Sequence, residues 1–445
     1  MAWLLSNMAP DVIFSIFAYC DISSVISASQ TCRYLHNLAF DKSVWLGLLD
    51  SLRHRSILDR TINLETLSVV EMIGIARGMI TGPRTWTPRE HDRNPIVAIS
   101  KTITLHRARD VETPAVDSVK LLPSGCYVLF STQETLECWN VAHDRLVWMH
   151  TSAVEHTTVV DFGAEETDTD SANIIICLHA DLSNGPMHFI EMVHVDLRTG
   201  TYDYLLAART PDSEPFYQPV ICKALAAVRV NLGYIVINWK TRSYLIVHSP
   251  DSLPQTTLIP QHIIVLAPSV SGEHQIHLIS NDTIGTYFSP TIGLEDPAEF
   301  RMVSVEELPK LHTFHASSPE QSFEDMQIHA SPIRDADYRV WIWGWNHRAN
   351  EHGLRSYQLS IPIDGAPKWR LRSQALLGTP LVSYSGHALC YEASRRWWTI
   401  CSPGSSAPNP RLRLFRNPDF VDLATYSGAV TCPTVESTIM IRYYK

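Results

Sequence analysis

From Pro95 to the C-terminus, short β-rich runs recur about every five to ten residues with turn signals between them, and this spacing constrains the fold more than any other feature. The clearest group is 116–122, 127–132, 136–141 and 146–149, with Pro123-Ser124-Gly125 and Gln133-Glu134 as turns. Four strands in so short a stretch make one antiparallel sheet. A second group is 158–163, 174–179, 189–196 and 202–208, with an acidic loop over 161–170. Runs at 220–228, 234–238 and 244–248 suggest a third group, and those at 263–267, 276–280 and 286–288 a fourth. Runs at 328–331, 340–345, 357–361 and 369–371 suggest a fifth, and those at 382–384, 388–392, 397–400 and 412–415 a sixth.

A direct repeat supports this reading. Leu381, Tyr384-Ser385-Gly386 and Cys390 recur as Leu423, Tyr426-Ser427-Gly428 and Cys432, an offset of 42 residues. Spacings near 40–45 suit four-stranded propeller blades. The last group, 421–425, 430–432 and 438–443, lacks one strand, while a run at 103–106 precedes the first group and has no sheet of its own. Pairing the two closes a ring and removes two free edges. The expected fold is a propeller of seven blades, with six as the alternative.

The N-terminal stretch is of another kind. Pro10 suits a first helical position, and Asp11 places negative charge beside a helix N-terminus. Val12, Ile13, Phe14, Ile16, Phe17, Tyr19 and Cys20 then leave no polar face. A helix apolar all round must be covered on more than one side, and this one is far short of the roughly 20 residues that cross a bilayer. Three more short helices follow, capped at Ser23 or Ser24, at Thr31 or Cys32, and at Asp41 or Ser43. A unit of about 40 residues is near the lower limit for a self-sufficient core. Part of its apolar surface therefore needs cover from elsewhere. A helix from Leu64 to about Arg77, capped by Asn63, connects this unit to the β-rich part. Gly82-Pro83 and the charged stretch 84–94 mark a boundary.

The run Met8-Ala9-Pro10-Asp11-Val12-Ile13, Ile16-Phe17, Asp21, Ala28-Ser29, Thr31-Cys32-Arg33, Leu35-His36, Leu38-Ala39 and Val44-Trp45 resembles an F-box. That motif docks substrate receptors onto a Skp-family adaptor in Skp–cullin–F-box ubiquitin ligases. The family usually opens Leu-Pro; here Met8-Ala9 stands there and Pro10 follows one place later. The resemblance implies an adaptor-binding and F-box core set of Met8, Pro10, Ile13, Ile16, Phe17, Cys32, Leu35 and Trp45, without saying which of these face outward. The β-rich part is similar to WD-repeat propellers at a distance, with Trp139-Asn140 where a Trp-Asp dipeptide would stand. The order of parts is similar to that of large fungal F-box protein families.

Composition narrows the partners. A net charge of −10 and a pI near 6.0 argue against general nucleic-acid binding. No run approaches transmembrane length. No Lys or Arg occurs before Arg33, which argues against a secretory signal peptide. The nine cysteines are scattered, with no Cys-x-x-Cys pair, and fit a reducing compartment, cytoplasmic and/or nuclear.

Catalytic chemistry is not in evidence. There is no Gly-x-Ser-x-Gly, Walker-type loop or dinucleotide fingerprint. His312 and His315 have a metal-ligand spacing for a helix but no third ligand, and the acidic residues 161–170 lack an EF-hand pattern. No metal or cofactor is expected. Trp341, Trp343 and Trp345 alternate and share one strand face. Packing between blades is the simpler account, and an aromatic target-binding surface the sharper one. Arg370, Arg372, Arg395 and Arg396 belong to a late basic cluster, which is either a solvated rim or a reader of phosphorylated peptides.

The expectation is an α+β multidomain chain. Residues 1–52 form a small all-α F-box-like domain, 53–94 a connector helix and linker, and 95–445 an all-β propeller. Its expected role is a non-catalytic substrate receptor. The F-box would bind a Skp-family adaptor, and through it a cullin, while the propeller would bind an unidentified target protein, with no nucleic acid and no membrane. The alternatives are a propeller scaffold acting outside a ligase and, third, a propeller enzyme.

Overall fold

The computed structural model describes residues 8–87, 96–106, 116–152, 154, 156–167, 170–182, 185–210, 215–231, 233–249, 254–268, 274–289, 302–315, 321–347, 350–376, 380–392, 397–403, 409–412, 420–434 and 438–445. Five helices come first: α1 (Pro10–Phe17), α2 (Ile22–Ser29), α3 (Arg33–Ala39), α4 (Lys42–His54) and α5 (Val69–Thr81). Asp21 caps α2 by accepting from the Ser24 amide, and Asp41 caps α4 by accepting from Ser43. The connector begins later than the Asn63 cap predicts. Asn63 caps only a 3₁₀ turn, Leu64–Thr66. The longer helix starts at Ser68, whose hydroxyl accepts from the Glu71 amide while the Glu71 carboxylate accepts from the Ser68 amide. This reciprocal box satisfies two orphan donors, where Asn63 satisfies one.

The strands then form seven sheets. Blade 1 is β2 (Val116–Leu121), β3 (Tyr127–Thr132), β4 (Leu136–Asn140) and β5 (Arg145–Met149). Blade 2 is β6 (Thr157–Glu166), β7 (Ser171–Leu182), β8 (Gly185–Asp196) and β9 (Tyr202–Thr210). Blade 3 is β10 (Tyr217–Cys222), β11 (Leu225–Val230), β12 (Gly233–Asn238) and β13 (Ser243–His248), with β17 (Met302–Ser304) added in parallel to β13. Blade 4 is β14 (Gln255–Ile259), β15 (His262–Pro268), β16 (His274–Ser280) and β18 (His312–His315). Blade 5 is β19 (Gln321–Ala330), β20 (Asp337–Asn346), β21 (Glu351–Ser360) and β22 (Lys368–Leu376). Blade 6 is β23 (Pro380–Val382), β24 (Ala388–Glu392), β25 (Trp397–Cys401) and β26 (Arg411–Leu412). Blade 7 is β27 (Asp422–Leu423), β28 (Val430–Pro433) and β29 (Ile439–Tyr444), completed by β1 (Ile99–Leu105). β1 and β29 pair antiparallel from Ile99–Tyr444 to Leu105–Ile439, so the ring closes as the strand count predicts, with seven blades and not six.

Three further readings are corrected. The run 220–228 is not one strand but the end of β10 and the start of β11, joined by a turn at Lys223-Ala224. Residues 286–288 are not a strand: they lie in and beside a 3₁₀ turn (Gly285–Tyr287) that follows α6 (Asn281–Ile284), and β18 supplies the fourth strand of blade 4. The acidic residues at 161–166 are not a solvated loop but part of β6. Asp161 accepts from the Gln218 amide of the next blade at 2.8 Å, and Glu165 from the Lys223 amide at 2.8 Å. Asp422 does the same between blades 7 and 1, accepting from the Leu121 amide at 3.0 Å. These carboxylates satisfy backbone donors that neighbouring blades leave unpaired.

The helices rest on one face of the ring, on turns that join the first and second strands of blades. On blade 5, the Ser23 amide donates to Ile333 O at 2.9 Å, and Arg55 donates to Asp335 at 2.7 Å and to Ser331 O at 2.9 Å. Arg60 spans two blades: its amide donates to Ser124 O at 2.8 Å, and its guanidinium reaches Asp170 at 3.0 Å and Thr167 O at 3.1 Å. Beyond α5, Trp86 is fully buried between His387, at 5.6 Å between ring centroids, and Tyr444, at 5.5 Å. Gly82 closes α5 at φ +70°, and any Cβ there would strike the His387 ring.

The Tyr-Ser-Gly repeat lies in this junction. Both of its glycines have positive φ. Tyr384 and Tyr426 stand 5.8 Å apart, and they donate to Ser331 Oγ and Ala330 O. His387 follows the first copy, hydrogen-bonded to Ser385 Oγ at 2.9 Å and to Thr87 Oγ1 at 3.0 Å. Burial, then the nearby Arg339 guanidinium, pushes this imidazole down to about 4.

Two outcomes follow from this junction. Trp86→Ala removes a fully buried indole at a cost of about 3–5 kcal/mol. Hydrogen exchange should show the loss first at residues 82–87, and unchanged protection there would contradict the account. For His387 the folded-state pKa lies below the ordinary value of 6.5. Its contribution is therefore complete above pH 6.5 and is lost as the pH falls toward 4. The stability advantage of the native chain over His387→Gln should shrink by about 1–2 kcal/mol between pH 7 and pH 5, read by chemical denaturation at each pH.

Candidate functional site

The five helices share one core. Ile13, Phe17, Ile22, Val25, Leu35, Trp45, Leu49 and Met72 are buried in it, and Ala330, Ile333 and Tyr426 of the propeller pack against its edge. Trp45 is buried, and its Nε1 donates to Ala39 O at 3.0 Å, satisfying the indole at the α3–α4 corner. The propeller thus covers part of the surface that so small a unit cannot hide.

It does not cover α1. Met8, Val12, Ile16 and Tyr19 are 40%, 44%, 39% and 93% exposed. Positions 12, 16 and 19 follow the i, i+4, i+7 spacing of one helix face. Pro10 is exposed beside them, at the first position of α1. The Tyr34 hydroxyl donates to Met8 O at 2.7 Å and ties α3 to the start of this ridge. Ile26 of α2 is a further exposed apolar side chain, at 37%. Clusters of exposed large apolar side chains on small domains mark interaction surfaces.

The structure divides the F-box-like residue set. Ile13, Phe17, Leu35 and Trp45 face inward, Met8, Pro10 and Ile16 face solvent, and Cys32 is half-buried at the cap of α3. Val12 and Tyr19 join the outer group. Sequence could not separate the two, since α1 is apolar on every side.

The propeller candidates scatter. Trp341 and Trp343 are buried between blades 5 and 6 against Leu354, Val382 and Ala388, and Trp341 Nε1 donates to Ser383 O at 3.3 Å. They are packing residues and offer no surface to a partner. Trp345 is half-buried, with His352 edge-on at 5.0 Å. Arg370 and Arg372 are exposed on β22, where Arg372 donates to Gln358. Arg395 and Arg396 lie outside the described residues. His312 and His315 stand on a strand, where residues three apart point to opposite faces. Among the described residues no group of three or more His, Cys, Asp or Glu is placed to hold a metal, and no helix is long and apolar enough to cross a membrane.

No curated protein sequence matches the chain. Solved structures similar to it include the β-propeller domain of Cps50 (Swd1) from Myceliophteria thermophila, with TM-score 0.46, 9% identity, and coverage of 77% of this chain and 99% of that one. The WD40 domain of SCAP from fission yeast gives 0.42 at 9% identity, covering 74% of this chain and 84% of that one. The N-terminal domain of Nup159 gives 0.38 at 12% identity, covering 80% and 98%. At these scores they add nothing to the blade count, which rests on the strand pairing itself. Residues 10–49 match the F-box-like family, so the chain carries an F-box-like domain mounted on a seven-bladed β-propeller.

Proposed function

We propose that this chain is the substrate-receptor subunit of a Skp–cullin–F-box ubiquitin ligase. The observation that carries the reading is the bare apolar ridge of α1, on a helical unit whose inner side is packed in its own core and against the propeller. Met8, Pro10, Val12, Ile16 and Tyr19 form the adaptor-facing surface, while Ile13, Phe17, Leu35 and Trp45 hold it in shape from inside. Cys32 stands at the edge between them.

The mechanism is proximity. The adaptor and its cullin bring a ubiquitin-charged enzyme near, and the propeller holds a target protein beside it, which raises the effective concentration of the acceptor lysine. The receptor supplies no catalytic group. Arg55, Arg60 and Trp86 fix the helices to the ring, so the distance between adaptor and target is set by a stiff mount. This work belongs to the cytoplasm or nucleus, where such ligases operate.

The test is capture of a purified Skp-family adaptor by the full chain. Covering a large apolar side chain contributes roughly 1.5–3 kcal/mol. The double variant Val12→Asp, Ile16→Asp should therefore bind the adaptor about 100-fold more weakly or worse. Both side chains are surface groups, so its melting curve should match the native one. Phe17 is unsuitable for this purpose because it is core. Native-like capture by the double variant would reject the assignment. Capture without ubiquitylation of any bound protein in a reconstituted ligase would make the chain a scaffold instead.

A further inference from the structure

Blade 6 holds a pair of thiols that the receptor reading does not use. In the register of β24 and β25, Ala388 faces Cys401 and Cys390 faces Thr399. Cys390 and Cys401 are therefore diagonal neighbours on the same face of the sheet. Their side chains are in hydrogen-bond contact, with Cys390 donating to the Cys401 sulfur. Asn409 Nδ2 gives that sulfur a second donor at 3.5 Å. Two donors on one sulfur favour its thiolate, and the hydrogen bond from Cys390, opposed by burial and Glu392, holds the Cys401 thiol below its ordinary range. Burial instead pushes Cys126 up to about 11 and Cys222 up to about 12.

The pair is reachable. Both cysteines line a cleft of about 460 Å³ between blades 5 and 6, together with Trp345, His352, Glu392 and Thr399. Cys401 is half-buried and Cys390 buried behind it. This places an activated nucleophile toward the cleft with a second thiol within reach of it.

We propose that Cys390 and Cys401 form a redox-sensitive dithiol that hydrogen peroxide oxidises to a reversible disulfide across β24 and β25. The Cys401 thiolate attacks one peroxide oxygen and the O–O bond breaks. The departing hydroxide takes up the proton that Cys401 had lost, giving water and leaving a sulfenic acid. The Cys390 sulfur then attacks the Cys401 sulfur, and the expelled hydroxide leaves as water with the Cys390 proton. Two thiols lose two hydrogens, and one peroxide becomes two waters. Forming the bond draws two sulfurs from hydrogen-bond contact to about 2.05 Å. It would tighten the end of β25, where the next residue, Ser402, donates to Trp86 O at the helical junction.

The reduced full-length protein is exposed to hydrogen peroxide, and its thiols are mapped by differential alkylation and mass spectrometry. Cys390 and Cys401 should disappear together, appear in one cross-linked peptide pair, and return with dithiothreitol. Before oxidation, Cys401 should alkylate at neutral pH about tenfold faster than Cys126. In Cys390→Ser, the Cys401 sulfenic acid should persist and be trapped by dimedone; in Cys401→Ser, Cys390 should stay reduced. The native-chain measurement stands without either variant. Survival of both thiols at peroxide levels that oxidise Cys32 or Cys126, or pairing of either with a different cysteine, would overturn the proposal.

Discussion

The pairing of β1 with β29 holds the rest of the molecule in place. The last blade gains its fourth strand only when the two ends of the ring meet, and here the ends are a strand just beyond the helices and the final strand described. Closure also positions the helical unit. The Lys445 amide donates to Ala98 O, and Lys445 O accepts from the Thr85 amide, so the segment leaving α5 is stitched to the seam of the ring. Without that seam, Trp86 would lose the Tyr444 side of its pocket.

From the seam the contacts spread over several blades. Arg60 reaches blades 1 and 2, Asp21, Ser23 and Arg55 reach blade 5, and Gly82 and Thr87 meet blade 6. Exposed ion pairs are individually weak. Their number matters less than their geometry, because a unit held at separate points on a rigid ring cannot rock about any one of them. This arrangement occupies one face of the propeller and directs α1 outward, with its apolar ridge in solvent.

Much of the β-half was readable because its cues are local. Turn residues such as Pro123-Ser124-Gly125 and the recurrence of Tyr-Ser-Gly reported strand spacing, and a strand without a sheet at the start and a sheet one strand short at the end implied closure. Blade 4 misled because Thr286, Tyr287 and Phe288 have strand propensity, yet the short helix at Asn281 draws them into a turn. The connector misled because Asn63 is a good cap and Ser68 a better one. In α1, apolar residues on every side of the helix, broken only by Asp11 and Ser15, erase the signal that separates core from surface. Ile13 and Ile16 look alike until the fold buries one and exposes the other. The junction itself was invisible: Arg60 meets Ser124, Thr167 and Asp170, and Thr87 meets His387, across 64 to 300 residues of chain, and no local pattern encodes that.

The seam also sets an order of events during synthesis. Roughly 340 residues separate Ile99 from Ile439, so at about 5–20 residues per second β1 waits tens of seconds for its partner to leave the ribosome. Throughout that interval one side of β1 presents unpaired amides and carbonyls, next to a helical unit that cannot yet dock. A premature stop anywhere upstream of Ile439 leaves an open arc of sheets with a sticky end in place of a shortened ring.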